Sequence, residues 1–207
     1  MQKSIWNEHE ISIASELTPL IPDLVQDFLN VHPGFYQGIT KTIPYRSEKE
    51  YLKGTPSGNP VINTANITNQ QNIWTVEAIR YVLPDKNIEL NKFEQESVQT
   101  NFPTACALTK KYLKHCGCSS YSILSPNAKI PRHSDPENRD RRYVRLHIPL
   151  IIPTGNTFLE VNDAEVKWNG IFAFDNSLMH SAHNNTSDYR LIFLLDISRS
   201  FLRLDTI

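Results

Sequence analysis

Residues 119–197 constrain the fold most, because short apolar segments alternate there with turn signals. Residues 143–152 alternate between apolar and polar side chains, and the pairs Asn162-Asp163 and Asn169-Gly170 are typical of tight turns between strands. Many short strands joined by turns indicate a sandwich or a barrel. The pattern therefore predicts a mainly β protein: a double-stranded β-helix (jelly roll, cupin-like) with flanking α-helices.

The first 70 residues differ from the rest of the chain and contain six of its thirteen prolines. Thr18 as N-cap and Pro19 at the first helical position predict a helix over residues 18–31. We interpret residues 1–70 as an N-terminal arm with one helix, packed on the main domain. Residues 71–207 are then the jelly-roll domain.

A second helix is predicted over residues 103–116, opened by Pro103 and closed by Gly117. The segment His115-Cys-Gly-Cys118 at its end could be half of a zinc site. A structural zinc site needs four ligands, usually in two pairs, and no second cysteine pair exists in the sequence. We therefore interpret these two cysteines as small residues that close the helix. With Cys106 they make three cysteines, which fits a reducing compartment better than a disulfide framework.

The charges are nearly balanced, with 21 Lys+Arg against 22 Asp+Glu and a formal net charge of −1. Nucleic-acid binders usually carry a basic excess, so no nucleic-acid partner is expected. No segment approaches the roughly 20 apolar residues of a membrane span, and the N-terminus lacks the apolar region of a secretory signal. We expect a cytoplasmic protein without a membrane partner; the sequence does not indicate an oligomeric state. The basic stretch at residues 139–142 is interpreted as a solvated loop or a substrate-facing rim.

The strand at residues 143–152 places two polar side chains on one face. Because side chains alternate along a strand, Arg145 and His147 share a face with Tyr143, whereas Val144 and Leu146 belong to an apolar core face. A buried arginine needs a partner. If this face lies inside the barrel, the sequence predicts an anion site there.

The last predicted strand begins with a charge. Arg190 precedes the five apolar residues 191–195. Its planar guanidinium is suited to hold both oxygens of a carboxylate, as would be needed for an anionic ligand. The alternative is a structural salt bridge to Asp175 or Asp196, and the residues alone leave both open.

A candidate metal site comes from His133-Ser-Asp135 together with His180, which lies 47 positions after His133. Two imidazoles and one carboxylate on one face of a metal leave positions open for co-substrate and oxygen, as in non-haem iron(II) oxygenases. His183 competes with His180 for the ligand role, and position alone does not separate them. Asp135 could also be a loop acid that points outward.

The stretch from about Trp74 to Arg199 resembles the aspartyl/asparaginyl β-hydroxylase family. The matching segments agree in order and spacing, and they are Pro103-Thr-Ala-Cys-Ala-Leu108, Tyr121-Ser-Ile-Leu-Ser-Pro126, Pro131-Arg-His133, Arg145-Leu-His147, Phe174-Asp-Asn-Ser-Leu-Met-His180 and Tyr189-Arg-Leu-Ile-Phe193. Together they cover roughly three fifths of the chain. The first 70 residues show no such resemblance.

The resemblance implies a jelly-roll oxygenase that uses iron(II), 2-oxoglutarate and O2. It implies His133 and His180 as iron ligands, which favours His180 over His183, and Arg190 as the partner of the distal 2-oxoglutarate carboxylate. Further residues implied around this co-substrate are Trp74, Ser122, Arg145 and His147. The best-known animal members have glycine in place of Asp135, so the carboxylate ligand that Asp135 would supply is a departure from their pattern.

We therefore expect a 2-oxoglutarate-dependent dioxygenase. Its substrate would be of the amino-acid type (a free amino acid, a peptide or a small natural product), hydroxylated at an unactivated carbon with formation of succinate and CO2. The catalytic residues would be His133, Asp135, His180 and Arg190. Two alternatives stay open: a cupin-like metal enzyme that does not use 2-oxoglutarate, and a catalytically silent ligand-sensing module on the same fold.

Overall fold

Two antiparallel sheets make up most of the computed structural model, which describes residues 3–32, 74–83, 88–135 and 141–204. The seven strands of the large sheet are β1 (Ile5–Asn7), β2 (Trp74–Leu83), β3 (Ile88–Asn91), β4 (Cys116–Leu124), β6 (Tyr143–Ile151), β9 (Phe172–Phe174) and β11 (Arg190–Ser198). The four strands of the small sheet are β5 (Ala128–His133), β7 (Thr157–Val161), β8 (Ala164–Val166) and β10 (His180–Asn184). Within the sheets the strand orders are β1-β9-β6-β11-β4-β2-β3 and β5-β10-β7-β8.

Helices cover the outer face of the large sheet. Those in the described residues are α1 (Ala14–Leu17), α2 (Ile21–Val31), α3 (Glu96–Asn101), α4 (Pro103–Lys111) and α5 (Arg199–Leu202). None of the helices in these parts of the chain is long and apolar enough to cross a membrane. The predicted mainly β jelly roll with flanking helices is confirmed.

The alternation of β6 and β11 builds two separate cores. One face packs with the helices through Val144, Leu146, Ile148, Leu191, Phe193 and Leu195. The opposite face of β6 carries Arg145 and His147, and that of β11 carries Arg190 and Asp196. Ile192 and Leu194 on this inner face pack with residues of the small sheet. The charged inner face therefore lies between the two sheets, as the sequence pattern predicts for a barrel interior.

The turn between β7 and β8 also agrees with the sequence. Asn162 and Asp163 have φ angles of 48° and 70°. Two consecutive residues with positive φ are typical of the tight turns that match the twist of a β-hairpin, and Asn and Asp tolerate this conformation. This turn brings the ends of β7 and β8 together beside β10.

The predicted helix over residues 103–116 is wrong at its end. The helix stops at Lys111, and Cys116 already belongs to β4, where it pairs with Ile197 of β11. Its carbonyl accepts a hydrogen bond from Arg80 Nε at 3.1 Å. Pairing with the sheet therefore overrides the helical spacing of apolar residues, and the cysteines open a strand instead of closing a helix.

The three cysteines are free and buried. Burial raises the pKa of the Cys116 thiol to about 12, so it stays protonated and is a poor metal ligand. Within the described residues no group of metal-ligating side chains includes a cysteine.

The N-terminal residues contribute more than a helix. The predicted helix is present as a 3-10 turn (Thr18–Leu20) followed by α2, but the predicted N-cap is wrong, because Thr18 has helical backbone angles and directly follows α1. In addition, β1 joins the edge of the large sheet beside β9. Asp27 of α2 accepts hydrogen bonds from the backbone N–H groups of Thr104 (2.7 Å) and Ala105 (3.2 Å) at the start of α4. The predicted boundary between residues 70 and 71 lies outside the described residues.

Asp175 ties several segments together at the end of β9. Its backbone N–H donates to Ser4, and its carboxylate accepts from Arg141, from Arg199 at 3.1 Å and from the Ser177 hydroxyl. Burial would raise the pKa of Asp175, but the Ser177 hydroxyl and the two guanidinium groups outweigh it and lower the pKa below its usual value. Asp175 thus binds the segment before β1 through its backbone N–H, and through its ionised carboxylate it binds the segment before β6 and the C-terminal helix.

Asp175→Asn should lower the free energy of unfolding by about 2–3 kcal/mol at pH 7, because it leaves two guanidinium groups without their carboxylate. The folded-state pKa of Asp175 lies below its unfolded value, so its stabilisation is present above about pH 4 and is lost as the pH falls through the folded-state pKa. The gap between wild type and variant should therefore shrink at low pH, measured by urea denaturation at several pH values. The exposed Asp163→Asn, which removes a surface ion pair with Arg132, is the control and should change stability by less than about 1 kcal/mol. A gap of equal size at every pH would contradict the prediction.

Candidate functional site

His133, Asp135 and His180 meet where β5 and β10 run side by side. His133 ends β5, His180 begins β10, and the two residues are paired across the strands. One potential ligand atom from each of the three side chains lies within 4.8 Å of the others. Within the described residues this is the one group of at least three His, Cys, Asp or Glu side chains that could hold a metal ion. The structure therefore brings together the three residues that the sequence predicts as metal ligands.

The two imidazoles are held in the same way. His133 Nδ1 lies 2.7 Å from the carbonyl of Pro131, and His180 Nδ1 lies 2.9 Å from that of Leu178. A carbonyl only accepts, so Nδ1 carries the hydrogen and Nε2 keeps its lone pair, as a metal ligand requires. Burial lowers the pKa of His180 to about 4, which also favours the neutral ring.

The carboxylate of Asp135 points inward. Oδ2 accepts hydrogen bonds from Asn176 Nδ2 at 2.8 Å and from Arg145, while Oδ1 lies 3.5 Å from His133 Nε2. The Asp135 N–H also donates to the Asn176 carbonyl at 3.0 Å. Burial alone would raise the pKa of Asp135, but the charge of Arg145, together with the two histidines and the Asn176 hydrogen bond, lowers the pKa. The alternative of an outward-pointing loop acid is therefore wrong.

His183 occupies the other face of β10. Its ring stacks on Phe158 with centroids 4.4 Å apart, and its Nε2 lies 3.1 Å from the Ser181 hydroxyl. Because His180 and His183 are three positions apart in a strand, they point to opposite sides. The structure thus separates the two candidates: His180 faces His133, and His183 does not.

Arg145 bridges two buried carboxylates. It binds Asp196 with two hydrogen bonds, from Nε at 2.7 Å and Nη2 at 2.8 Å, and it donates from Nη1 to Asp135. Burial opposes the charge of the guanidinium, but the two carboxylates prevail and raise its pKa. Arg145 therefore holds Asp135 in place from the inner face of β6.

Arg190 is buried without a carboxylate partner among the described residues. Its Nη2 donates to Ser122 Oγ at 3.3 Å, its guanidinium lies 5.0 Å from the ring centroid of Trp168, and its buried Nε has no hydrogen-bond partner. Asp196 and Asp175 are bound by other arginines, so the alternative of a salt bridge to either is wrong. Burial lowers the pKa of Arg190 to about 9. A buried cation in this state is a strong candidate for an anion-binding group.

The other residues that the sequence predicts around a co-substrate lie close to Arg190. Trp74 Nε1 donates to Ser122 Oγ at 2.9 Å, and both Trp74 and Arg190 are paired with Leu124 of β4. His147 Nδ1 accepts a hydrogen bond from Trp168 Nε1 at 3.0 Å. Trp74, Ser122, His147 and Arg190 form one polar group on the inner face of the large sheet, and Trp168 packs against this group.

This polar group, which we call the anion cluster (Trp74, Ser122, His147, Trp168 and Arg190), adjoins the metal-ligand group. Phe174 links the two, because its ring lies 5.1 Å from the ring of His147 and 5.1 Å from that of His180. The arrangement can therefore hold a metal ion and an anionic molecule side by side.

Trp168 and Asn176 are parts of the site that the sequence does not single out. A buried tryptophan needs an acceptor for its N–H, but the sequence does not say which one. Asn176 lies inside the family-like segment before His180, which is the one signal that could have drawn attention to it. Of the basic stretch, Arg141 binds Asp175, and residues 139–140 lie outside the described residues.

Two matched substitutions should separate the roles of the buried arginines. Arg190→Met should raise the free energy of unfolding by on the order of 1 kcal/mol, because it removes a buried charge that has no carboxylate partner. Arg145→Met should lower it by about 3–5 kcal/mol, because Asp135 and Asp196 then stay buried without their cation. Urea denaturation of the metal-free proteins measures both. A similar loss of stability in the two variants would contradict the distinction.

Comparison with known proteins places this arrangement in a family. A sequence model described as Aspartyl/Asparaginyl beta-hydroxylase matches residues 49–200, which is more than half of the chain. The chain is similar to the aspartyl/asparaginyl beta-hydroxylase of Mus musculus (28% identity over 110 residues) and to that of Homo sapiens (29% over 101 residues). These matches cover 50% and 46% of this chain but only 14% and 13% of the two relatives.

A solved structure also aligns with part of the chain. An oxidoreductase of the 2OG-Fe(II) oxygenase family from Burkholderia pseudomallei aligns with a TM-score of 0.41 and 10% identity, over 61% of this chain and 68% of that one. The family match itself extends to the N-terminal side of Trp74, where the resemblance in the sequence begins. On the strength of that match, the chain belongs to the aspartyl/asparaginyl β-hydroxylase family.

Proposed function

We propose that this protein is an iron(II)- and 2-oxoglutarate-dependent dioxygenase that hydroxylates an unactivated carbon of an amino-acid-type substrate. The observation that carries the proposal is the pair of adjoining sites: a His-Asp-His group, and beside it a buried arginine without a carboxylate partner in the described part of the chain. Family membership adds support, because the relatives are described as hydroxylases.

The donor set suits iron(II). Two imidazoles and one carboxylate are the ligands of non-haem iron(II) oxygenases, and they leave other positions of the metal open. Both rings have Nδ1 on a carbonyl, which leaves Nε2 to bind. Asp135 has Oδ2 occupied by Arg145 and Asn176, so Oδ1 is the oxygen that would face the metal.

The anion cluster suits a dicarboxylate. Arg190 would bind the distal carboxylate of 2-oxoglutarate, which would supply the partner that its buried Nε–H lacks among the described residues. Ser122 and Trp74 would complete the polar surroundings. His147 stays uncharged, because burial and then the charge of Arg190 lower its pKa well below the usual value. It would therefore bind an anion through a neutral N–H.

Iron(II) with 2-oxoglutarate would supply the oxidative chemistry, in which O2 is consumed, 2-oxoglutarate yields succinate and CO2, and the substrate gains a hydroxyl group. The protein's own residues orient and shield the reactants. Arg145 uses three hydrogen bonds for Asp135 and Asp196, and its remaining N–H hydrogens would be available to the co-substrate. Phe174 and Phe172 pack against His147 and exclude water from this side.

The substrate proposal rests on the family. A free amino acid, a peptide or a small natural product with an amino-acid side chain would fit a hydroxylase of this kind. The His133 side chain is 28% exposed, whereas Asp135 and His180 are buried, so the metal-ligand group meets solvent at His133. We therefore propose that substrate approaches from this side.

Anaerobic reconstitution with iron(II) and 2-oxoglutarate, followed by exposure to O2, should yield succinate in the presence of a panel of amino acids and peptides. His180→Ala should abolish it, because the metal loses one of three ligands. His183→Ala, on the opposite face of the same strand, is the matched control and should retain it. Succinate is measured by mass spectrometry.

The same assay separates the alternatives. Oxygen uptake that does not depend on 2-oxoglutarate would indicate a cupin-like metal enzyme of another type. Binding of 2-oxoglutarate without any succinate, across the panel, would indicate a catalytically silent ligand-sensing module. Either result would contradict the proposed dioxygenase.

Arg190→Met should weaken 2-oxoglutarate binding by roughly 100-fold, because two charge-assisted hydrogen bonds are lost. The affinity of the variant for cobalt(II), a redox-stable substitute for iron(II), should stay within about threefold of wild type, because the contacts of Arg190 are with Ser122 and Trp168 and not with the metal-ligand group. Calorimetric titration measures both affinities. An unchanged 2-oxoglutarate affinity would exclude Arg190 as its anchor.

A further inference from the structure

Trp168 stands between the two groups that would bind the co-substrate. It lies after β8 and is buried, with 4% of its surface exposed. On one side its Nε1–H donates to His147 Nδ1 at 3.0 Å, and on another its ring lies 5.0 Å from the Arg190 guanidinium. Its ring plane is within 12° of that of His147. One side chain therefore contacts both the neutral and the charged member of the anion cluster.

The hydrogen bond to His147 has a definite direction. An indole N–H can only donate, so His147 Nδ1 must be the acceptor and cannot carry a hydrogen. In a neutral imidazole the hydrogen then lies on Nε2. Burial, with the nearby charge of Arg190, keeps the ring neutral. Trp168 thus selects one of the two tautomers of His147.

The selected tautomer leaves a donor available. In the described residues His147 makes no hydrogen bond other than the one with Trp168, and Arg190 Nε is buried without an acceptor. The opposite tautomer would present a lone pair at Nε2, which would repel an anion. The cluster therefore has two N–H donors, and no acceptor in the described residues takes either of them.

We propose that Trp168 is a positioning residue of the co-substrate site, which locks His147 in the tautomer whose Nε2–H donates to the bound carboxylate and which supports the Arg190 guanidinium with its ring. This inference rests on the proposed function for the identity of the ligand. The link between Trp168 and the His147 tautomer does not depend on it.

The tautomer can be observed directly in the protein loaded with zinc(II), by long-range proton–nitrogen correlation of the histidine rings. In wild type, Nδ1 of His147 should give the signal of an unprotonated nitrogen and Nε2 that of a protonated one. Trp168→Phe keeps an aromatic ring beside Arg190 but removes the N–H, so the His147 signals should move toward a mixture of tautomers. Trp6→Phe, a buried tryptophan that contacts Arg199 instead, is the control and should leave them unchanged.

The same proteins are then titrated with 2-oxoglutarate. Trp168→Phe should weaken its binding by about tenfold, the value of one hydrogen bond, with zinc(II) affinity unchanged. A protonated Nδ1 in wild type would overturn the proposal without any variant. So would an unaltered tautomer in Trp168→Phe, or a changed tautomer with unaltered 2-oxoglutarate affinity. If wild type itself does not bind 2-oxoglutarate, the co-substrate part is refuted together with the proposed function, while the tautomer signals still decide the role of Trp168 toward His147.

Discussion

The bridge from Arg145 to Asp135 and Asp196 holds the interior between the two sheets together. Taking three charges out of water is costly unless each finds a partner with good geometry. Arg145 and Asp196 are directly paired across β6 and β11, so the ladder itself sets their distance. Asp135 follows β5 of the small sheet, and its carboxylate accepts a hydrogen bond from the same guanidinium. The position of Asp135 therefore depends on the large sheet through Arg145, whereas the pairing of β5 and β10 in the small sheet sets the positions of His133 and His180.

Among the described residues, Arg190 is a buried charge without an oppositely charged partner, and it begins β11, the strand that carries Asp196 near its other end. Its two candidate partners, Asp175 and Asp196, are instead bound by Arg141, Arg145 and Arg199. The free energy that a fold loses by burying an unpaired cation is recovered when an anion binds. Arg190 should therefore lower the free energy of unfolding of the ligand-free protein and also bind the anionic ligand. His147 beside it is neutral, which avoids the repulsion that a second cation would add.

Asp135 places one carboxylate beside the two histidines of this chain. Two neighbouring residues hold the Asp135 carboxylate by hydrogen bonds. Asn176 binds its backbone and its side chain, and Arg145 binds Oδ2. Such double attachment orients a single oxygen toward the histidines, which suits a one-oxygen ligand. Hydrogen bonds of this kind around metal ligands commonly govern metal affinity.

The sequence by itself determined the fold class, the strands at residues 143–152 and from Arg190, and the face that carries Arg145 and His147, because alternation with period two is a local property of a chain that buries one side of each strand. It also pointed to His133, Asp135 and His180, but left His183 and an outward Asp135 open. Only the tertiary structure decided these, because they depend on which strands pair and on where each carboxylate finds a cation. Pairing between strands also decided that α4 ends at Lys111, because Cys116 belongs to β4 and pairs with β11. The tertiary structure also brought Trp168 to His147 from 21 residues away, a contact that no local pattern encodes.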